Sequence, residues 1–228
     1  MAMGMKNKKN AVVLLGPPGS GKSSLAEKLR EHLDGKIVAT GLLLKKMAGE
    51  NTGEGQKIKR YLERGELVPT GIVTEAIIQI LRNDDARWIL FDGFPRQKDQ
   101  IVPFFAIGAK MTYELRAVFH LEIPRSVAFE RITGRRVCTG CGDVYHISGR
   151  PPSQAGFCDL CGGKLVQRKD DSPEVLKERF EEFQQNTLPV INYFQRKCPD
   201  MTFRLRAEKE LSDMARSALA ILHEKDEK

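Results

Sequence analysis

The first candidate for chemistry is a glycine-rich loop near the start of the chain. Residues 16–23, GPPGSGKS, follow the pattern G-x-x-x-x-G-K-[ST] between an apolar run and a helical pattern. Glycines let backbone N–H groups curl around phosphate oxygens, and the helix that begins here adds the positive end of its dipole. Lys22 supplies a point charge for the terminal phosphates, and a hydroxyl from Ser23 or Ser24 can face Mg²⁺. The sequence therefore predicts a phosphate-binding loop, or P-loop.

A second candidate is Asp92, which ends a predicted strand in the segment Phe91-Asp92-Gly93. Ligands of open α/β sheets bind at the carboxyl ends of the strands. A carboxylate at that edge can hold Mg²⁺ directly or through water, and the alternative is a helix cap or turn residue. The loop and Asp92 together do not separate a kinase from an ATPase or a GTPase.

Four cysteines form the third candidate. Cys138-x-x-Cys141 and Cys158-x-x-Cys161 are separated by sixteen residues, which is typical of a tetrathiolate zinc site. Four thiolates leave no open coordination position, so such a site is structural. A zinc ribbon that binds nucleic acid is the alternative. Cys198 stands apart and is predicted to be a lone, at least partly buried thiol.

These residues need a scaffold, and the hydrophobic pattern predicts an alternation of strands and helices. Such an alternation indicates βαβ units and a parallel sheet with helices on both faces. The stretch 134–171 has little periodicity and is predicted to be held by something other than a hydrophobic core. The predicted strands are Ala11–Leu15, Lys36–Ala39, Trp88–Phe91, Leu115–Leu121 and Met201–Leu205, and the predicted helices are Lys22–Leu33, one after Pro69, Gln97–Ile107, a long one over Pro173–Phe194 and a last one near the C-terminus.

Composition narrows the class of protein. The 228 residues carry a net charge of +7, but the basic residues recur singly beside Gly, Pro and Asp, which favours small polyanions over nucleic acid. We expect no membrane span, because no apolar run is long enough. We expect no signal peptide, and paired cysteines in such a chain favour metal over disulfides, so a cytoplasmic location is expected.

The combined motifs resemble those of the adenylate kinase family along nearly the whole chain, from Val12 to about Leu222. The segment Asp92-Gly93-Phe94-Pro95-Arg96 is highly specific to nucleoside monophosphate kinases, and its distance from the P-loop matches as well. The other matching segments are Thr40-Gly41, residues 65–69 (GELVP), Gln100, Arg131, residues 134–136 (GRR), residues 168–171 (RKDD) and Arg179.

This resemblance implies the reaction MgATP + AMP = 2 ADP and a two-sided site. It implies catalytic roles for Lys22, Arg96, Arg131, Arg135, Arg168 and Arg179, and Mg²⁺ held by Ser23 and Asp92. The implied ATP-binding residues are Gly19, Ser20, Gly21, Lys22, Ser23, Ser24, Arg131, Arg135, Val144, Tyr145 and Lys209. The implied AMP-binding residues are Thr40, Lys45, Glu66, Leu67, Val68, Gly93, Phe94, Pro95, Arg96, Gln100, Arg168 and Arg179.

The resemblance also implies a division of the chain. Residues 1–10 are expected to form a disordered basic extension, residues 11–38, 69–133 and 172–228 a P-loop core, residues 39–68 a monophosphate-binding insertion, and residues 134–171 a zinc-binding lid. The expected partners are nucleotides, with no nucleic acid and no membrane, and the expected state is a monomer.

Arg116, Arg150 and Arg204 are expected to be solvated surface residues, and His120 and His146 to be structural.

Two departures from the family pattern bear on the acceptor. Leu42 and Lys45 stand where the family usually has Asp and, three residues later, Arg. Lysine keeps the charge but loses the bidentate geometry of arginine. Another monophosphate (CMP, UMP or GMP) is therefore an alternative acceptor, and a nucleotide sensor or nucleic-acid-binding protein without turnover is an alternative of a different class.

Overall fold

A five-stranded parallel sheet forms the centre of the computed structural model, which describes residues 8–64, 67–82, 84–168 and 171–226. The strand order is β2-β3-β1-β4-β8, and every pairing in this sheet is parallel. Its strands are β1 (Lys9–Leu15), β2 (Gly35–Ala39), β3 (Trp88–Asp92), β4 (Tyr113–Glu122) and β8 (Thr202–Arg206). The helices are α1 (Lys22–His32), α2 (Thr40–Ala48), α3 (Gly53–Glu63), α4 (Thr70–Arg82), α5 (Ile101–Met111), α6 (Arg125–Thr133), α7 (Pro173–Glu182), α8 (Leu188–Lys197) and α9 (Leu211–Asp226).

Both faces of the sheet are covered by helices, as the continuous apolar runs of its strands predict. In β1, Val12 and Leu14 pack with residues of α1 and α9 on one face. On the other face, Val13 and Leu15 pack with residues of α4, α5 and α8. All four of these side chains are fully buried, so the predicted fold class is confirmed.

The order of the strands determines where a ligand can enter. β1 pairs with β3 on one side and with β4 on the other, and the chain visits β2 and β3 before it crosses to β4. The connections that leave the sheet at the carboxyl end of β1 therefore diverge, and such a switch point opens a crevice there. The glycine-rich loop between β1 and α1 lies at this crevice.

Two groups of elements extend beyond the sheet. α2 and α3 lie between β2 and α4, and Thr52 caps α3 by accepting a 3.0 Å hydrogen bond from the N–H of Gly55. A small antiparallel sheet, in the order β6-β5-β7, lies between α6 and α7. Its strands are β5 (Arg135–Cys138), β6 (Val144–His146) and β7 (Leu165–Val166).

The structure differs from the sequence-based expectation at two places. Lys9 and Asn10 were expected in a disordered extension, but they belong to β1 and pair with β4; residues 1–7 lie outside the described residues. The single helix predicted over Pro173–Phe194 is α7 and α8 joined by a π-helical turn, Phe183–Thr187. The cause is Pro189, which has no N–H to donate and whose ring clashes with the carbonyl four residues earlier.

Within the described part of the chain, none of the helices is both long enough and apolar enough to cross a bilayer.

Candidate functional site

A large cleft lies at the carboxyl edge of the sheet, between the glycine-rich loop, α2 and the small antiparallel sheet. Its volume is about 840 Å³, which is within the range of pockets that hold small organic ligands. The structure brings together around this cleft the predicted site residues Gly19, Gly21, Lys22, Ser23, Ser24, Lys45, Asp92, Gly93, Arg96, Arg131, Arg135, Val144, Tyr145, Arg168, Arg179 and Lys209.

A second cavity of about 110 Å³ adjoins the first. Gly41, Leu62, Gly93 and Arg96 line both cavities, so the two are parts of one site. The other predicted residues around the small cavity are Thr40, Leu67, Val68, Phe94 and Gln100.

Two of the predicted residues that the structure describes do not line either cavity. Ser20, within the glycine-rich loop, is fully buried, and Pro95 is buried after the end of β3. Glu66 lies outside the described residues. Ser20 can therefore contribute to a ligand only through its backbone.

The glycine-rich loop has the backbone geometry that phosphate binding requires. Gly19 has φ of 77°, a region that other residues rarely adopt, and a Cβ there would lie 2.8 Å from the carbonyl oxygen of Ala128. Lys22 Nζ donates to the carbonyl oxygens of Gly16 at 2.8 Å and Pro17 at 2.9 Å. The ammonium group is thus folded back over the loop, where an anion would meet it.

Burial is the main influence on Lys22, and it lowers the pKa of the ammonium group to about 8. Asp92 opposes this shift, whereas the positive charges of Arg96 and Arg179 add to it. The positive charges of Lys22, Arg96 and Arg179 repel one another, and a bound anion would relieve this repulsion. The cleft is therefore suited to a polyanionic ligand.

Ser23 and Asp92 meet at the start of α1 and the end of β3. Ser23 Oγ donates to Asp92 Oδ2 at 2.5 Å, and the carboxylate is buried. A hydroxyl and a carboxylate oxygen in this arrangement are the ligand types that Mg²⁺ prefers, usually together with waters and phosphate oxygens.

Several arginines line the same cleft as the glycine-rich loop. Asp171, whose side chain is fully buried, accepts from Arg135 and lies 4.0 Å from Arg179 Nη1. Arg131 Nη1 donates to the carbonyl oxygen of Ala207 at 2.5 Å, which links α6 to the loop that carries Lys209. These guanidinium groups are held by the protein before any ligand binds, and such preorganisation favours stabilisation of developing negative charge.

The four paired cysteines converge in the small antiparallel sheet. Their Sγ atoms all lie within 4.8 Å of one another, and two of the separations are 3.3 Å (Cys138–Cys161) and 3.6 Å (Cys141–Cys158). A tetrahedral Zn²⁺ with Zn–S bonds of about 2.3 Å requires separations of roughly 3.8 Å, so the set fits this ion closely.

Hydrogen bonds to sulfur support the same interpretation. Backbone N–H groups of Cys141 and Gly140 stabilise the thiolate of Cys138 and lower its pKa to about 6. The N–H of Asp143 acts in the same way on Cys141, but hydrogen bonds with the neighbouring thiols outweigh it and raise the pKa of Cys141 to about 12. All five cysteines are free, and Cys198 is half-buried, as expected. The donor set is therefore suited to a metal ion.

Arg150 and His146 are among the cleft residues that the sequence did not assign to the site. Arg150, expected at the surface, is exposed but lines the cleft, with its guanidinium carbon 4.8 Å from the centre of the Tyr145 ring. His146 Nδ1 accepts from the N–H groups of Ser148 at 3.2 Å and Gly149 at 3.0 Å. Neither contact has a signal in sequence, because both depend on the bend of the loop after β6.

Three of the remaining side chains also received a sequence-based expectation. Arg116 is half-buried rather than solvated, whereas Arg204 is exposed as expected. His120 lies 3.4 Å from Glu122 Oε1 on β4, and burial lowers its pKa. It does not line the cleft.

The chain is similar to known proteins over most of its length. The family model described as adenylate kinase matches residues 14–198. A protein named adenylate kinase from Caldicellulosiruptor saccharolyticus is 35% identical over 212 residues, which cover 92% of this chain and 98% of the relative. Relatives of the same name from Clostridium perfringens (strain SM101 / Type A) and Pyrococcus abyssi are 37% identical over 187 residues and 36% identical over 185 residues. The matched regions cover 82% and 81% of this chain and 87% and 84% of these relatives.

Proposed function

The chain belongs to the adenylate kinase family of phosphotransferases, and on that premise we propose that its cleft transfers a phosphoryl group from MgATP to AMP, giving two molecules of ADP. The observation that carries this proposal is the junction of the two cavities at Gly93 and Arg96. A donor in the large cavity and an acceptor in the small one would meet there. Arg96 would then lie beside the phosphoryl group in transit.

The triphosphate would occupy the large cavity. The loop around Gly19 and Gly21 would cradle its phosphates, and Lys22 would bind the terminal ones. Val144 and Tyr145 line the same cleft, and we assign these two residues to the nucleoside end of the triphosphate. Ser23 and Asp92 would hold the Mg²⁺ that accompanies ATP.

The monophosphate would occupy the small cavity and the adjoining part of the cleft. Gln100 is buried there, and its Oε1 accepts from the N–H of Arg96 at 2.7 Å. The side-chain amide nitrogen of Gln100 would then donate a hydrogen bond to the edge of the acceptor's base. Lys45 in α2 supplies a positive charge for the phosphate of the acceptor.

Catalysis in this scheme rests on position and charge. Phosphoryl transfer requires little covalent participation by the protein, because the transition state mainly needs alignment and neutralisation of its oxygens. Lys22 and the guanidinium groups of Arg96 and Arg179 already influence one another electrostatically. Together with Arg131, Arg135 and Arg168, they would surround the transferring group from both sides.

The insertion between α6 and α7 is the proposed lid, and its cysteines are the proposed site of one structural Zn²⁺. The cluster of buried apolar residues around this site is small, consisting of Cys138, Tyr145 and Cys158 with Leu165 packed against them. Metal binding would therefore supply much of the free energy that holds the lid together. Closure of the lid would exclude water, which otherwise competes as the acceptor.

One observation favours a second acceptor class. Leu42 is 63% exposed and lines the cleft, and Lys45 replaces the arginine usual in the family. Another nucleoside monophosphate is thus the alternative acceptor. We further propose that the protein is a cytoplasmic monomer without a nucleic-acid partner.

The test is a coupled assay of the purified protein with MgATP and each of AMP, CMP, UMP and GMP at saturation. We expect AMP to be converted fastest. A higher rate with CMP, UMP or GMP assigns the small cavity to that nucleotide instead, and no turnover with any of the four contradicts the kinase assignment.

A further inference from the structure

The π-helical turn Phe183–Thr187 lies on the wall of the catalytic cleft. Its wide turn is closed by the N–H of Leu188, which donates to the carbonyl oxygen of Phe183 five residues earlier. Phe183 and Thr187 from this turn line the large cavity, as does Glu182 at the end of α7. Turns of this type within α-helices often occur at functional sites.

The turn changes which side chain faces the cleft. An α-helix rotates by about 100° per residue, so an unbroken helix would place Thr187 about 80° around the axis from Arg179. The wider π turn rotates less per residue and brings Thr187 back towards the face that carries Arg179. As a result, Thr187 and Arg179 both line the cleft, although they are eight positions apart in the sequence.

Thr187 makes a hydrogen bond that is unusual for a helical threonine. Helical threonines commonly donate to the carbonyl four residues earlier, as Thr74 does to Thr70 at 2.7 Å and Thr133 does to Phe129 at 2.8 Å. Thr187 Oγ1 instead donates across the cleft wall to the carbonyl oxygen of Arg96 at 3.2 Å. The Thr187 residue is only 6% exposed, so water has little access to compete for this bond.

Arg96 is therefore held on both sides of its backbone. Its N–H donates to Gln100 Oε1 at 2.7 Å, and its carbonyl oxygen accepts from Thr187. Its guanidinium group lies over Gly93, where a Cβ would come within 3.1 Å of Arg96 Nη2, and 4.0 Å from Glu182 Oε1. Gln100 fixes Arg96 to the turn that precedes α5, whereas Thr187 fixes it to the π turn that continues from α7, the helix that carries Arg179.

We propose that Thr187 is a positioning residue for phosphoryl transfer: through its hydroxyl, it fixes the Arg96 backbone so that the guanidinium group is correctly placed at the junction of the two cavities. This inference rests on the proposed function and adds a residue to it. Thr187 acts through Arg96, and the π turn is the feature that brings its hydroxyl within reach. A misplacement of about 1 Å at such a group can lower a rate by up to about a hundredfold.

Hydroxyl removal tests the proposal. We expect Thr187→Val and Thr187→Ala each to lower kcat about tenfold, with KM for MgATP changed by less than about twofold, because the arginine is needed mainly in the transition state. Thr187→Ser, which keeps the hydroxyl, should retain kcat within about twofold. Thr74→Val is the matched control, since it removes a helical threonine hydroxyl outside the cleft, and its kcat should not change. The use of two hydroxyl-free variants keeps the test valid if either one fails to fold.

A double-mutant cycle with Arg96→Ala separates this role from a general structural one. If Thr187 acts through Arg96, adding Thr187→Val to Arg96→Ala should lower kcat no further. A further tenfold loss in the double variant, wild-type kcat in both hydroxyl-free variants, or wild-type kcat in Arg96→Ala would each overturn the proposal. A wild-type protein that does not phosphorylate any monophosphate would instead contradict the proposed function itself.

Discussion

Arg135 and Asp171 form two parallel hydrogen bonds, with Nε 3.0 Å from Oδ2 and Nη2 2.5 Å from Oδ1. Arg135 begins β5 and Asp171 lies just before α7, so the pair joins the two ends of the cysteine-containing insertion. The carboxylate is fully buried and also faces Arg179. The pair therefore connects the two ends of the proposed lid. It also fixes the position of Arg135 in the cleft.

We predict that Asp171→Asn destabilises the protein by about 3 kcal/mol, because it leaves a largely buried guanidinium group without its full partner. It should also lower kcat/KM for MgATP about tenfold, since Arg135 loses its fixed position. Denaturant unfolding and steady-state kinetics measure the two effects.

Asp143→Asn is the matched control for this prediction. Asp143 likewise accepts two hydrogen bonds from an arginine, Arg150, in the same insertion, but the Arg150 side chain is 58% exposed. Loss of an exposed pair costs less than about 1 kcal/mol. Equal destabilisation by the two substitutions would show that burial of the Arg135 pair is not the deciding factor.

The lowered pKa of Lys22 predicts proton uptake when ATP binds. In the free protein, burial lowers this pKa to about 8, so the ammonium group loses its proton as the pH rises through that value. Phosphate oxygens stabilise the charged form and raise the pKa in the complex. Between the two pKa values, binding must take up a proton, and the affinity should fall by about tenfold per pH unit.

Calorimetry near pH 9 in two buffers with different ionisation enthalpies should detect this uptake as a buffer-dependent heat. Lys28→Met, which removes an exposed lysine of α1, should keep the effect, and Lys22→Met should abolish it. Identical heats in the two buffers for the wild-type protein would contradict the assignment of Lys22 to the phosphates.

Local sequence was sufficient to predict the parts of the site that depend on short-range geometry. The P-loop needs only its glycines, Lys22 and the flanking strand and helix. The cysteine cluster follows from two C-x-x-C spacings, and the parallel sheet follows from apolar runs such as Ala11–Leu15. In each case, the determining residues are neighbours in the chain.

The contacts that the sequence did not predict join residues whose relative positions depend on the tertiary structure. The contact of Thr187 with Arg96 spans 91 positions and exists because the π turn rotates one helix face. Pro189 was the available sequence signal for that irregularity, since proline removes a backbone donor inside a helix. Arg150 could not be distinguished from a surface residue, because its position over the Tyr145 ring depends on the fold of the loop between them.

We predict that Lys45→Arg tightens AMP binding about fivefold without reducing kcat. Arginine presents a planar fork to paired phosphate oxygens, whereas lysine presents a single charge. Lys46→Arg is the control, because Lys46 is adjacent and exposed but lines neither cavity. Titration calorimetry with AMP measures the effect. Unchanged or weaker binding in Lys45→Arg would mean that the acceptor phosphate does not contact this position or that the site is shaped for lysine.

We predict one Zn²⁺ per chain with a stabilising, non-catalytic role. The four Sγ atoms converge at distances that suit a tetrahedral ion, and an ion bound only by the folded chain adds its binding free energy to stability. Cys158→Ser should therefore lower the thermal midpoint by about 5 °C or more and loosen the lid while the core stays folded. Activity at low temperature should survive in part, because four thiolates leave no coordination position open to a substrate.

The control for the zinc prediction is Cys198→Ser, which removes the half-buried thiol outside the cluster and should leave the metal content unchanged. Elemental analysis of the wild-type protein should give one zinc per chain, and Cys158→Ser should bind it more weakly. Absence of metal from the wild-type protein, or unchanged melting of Cys158→Ser, would refute the structural-zinc prediction. Complete loss of activity in Cys158→Ser without loss of stability would assign the metal a direct part in the reaction, because the cluster would then affect turnover by a route other than holding the lid.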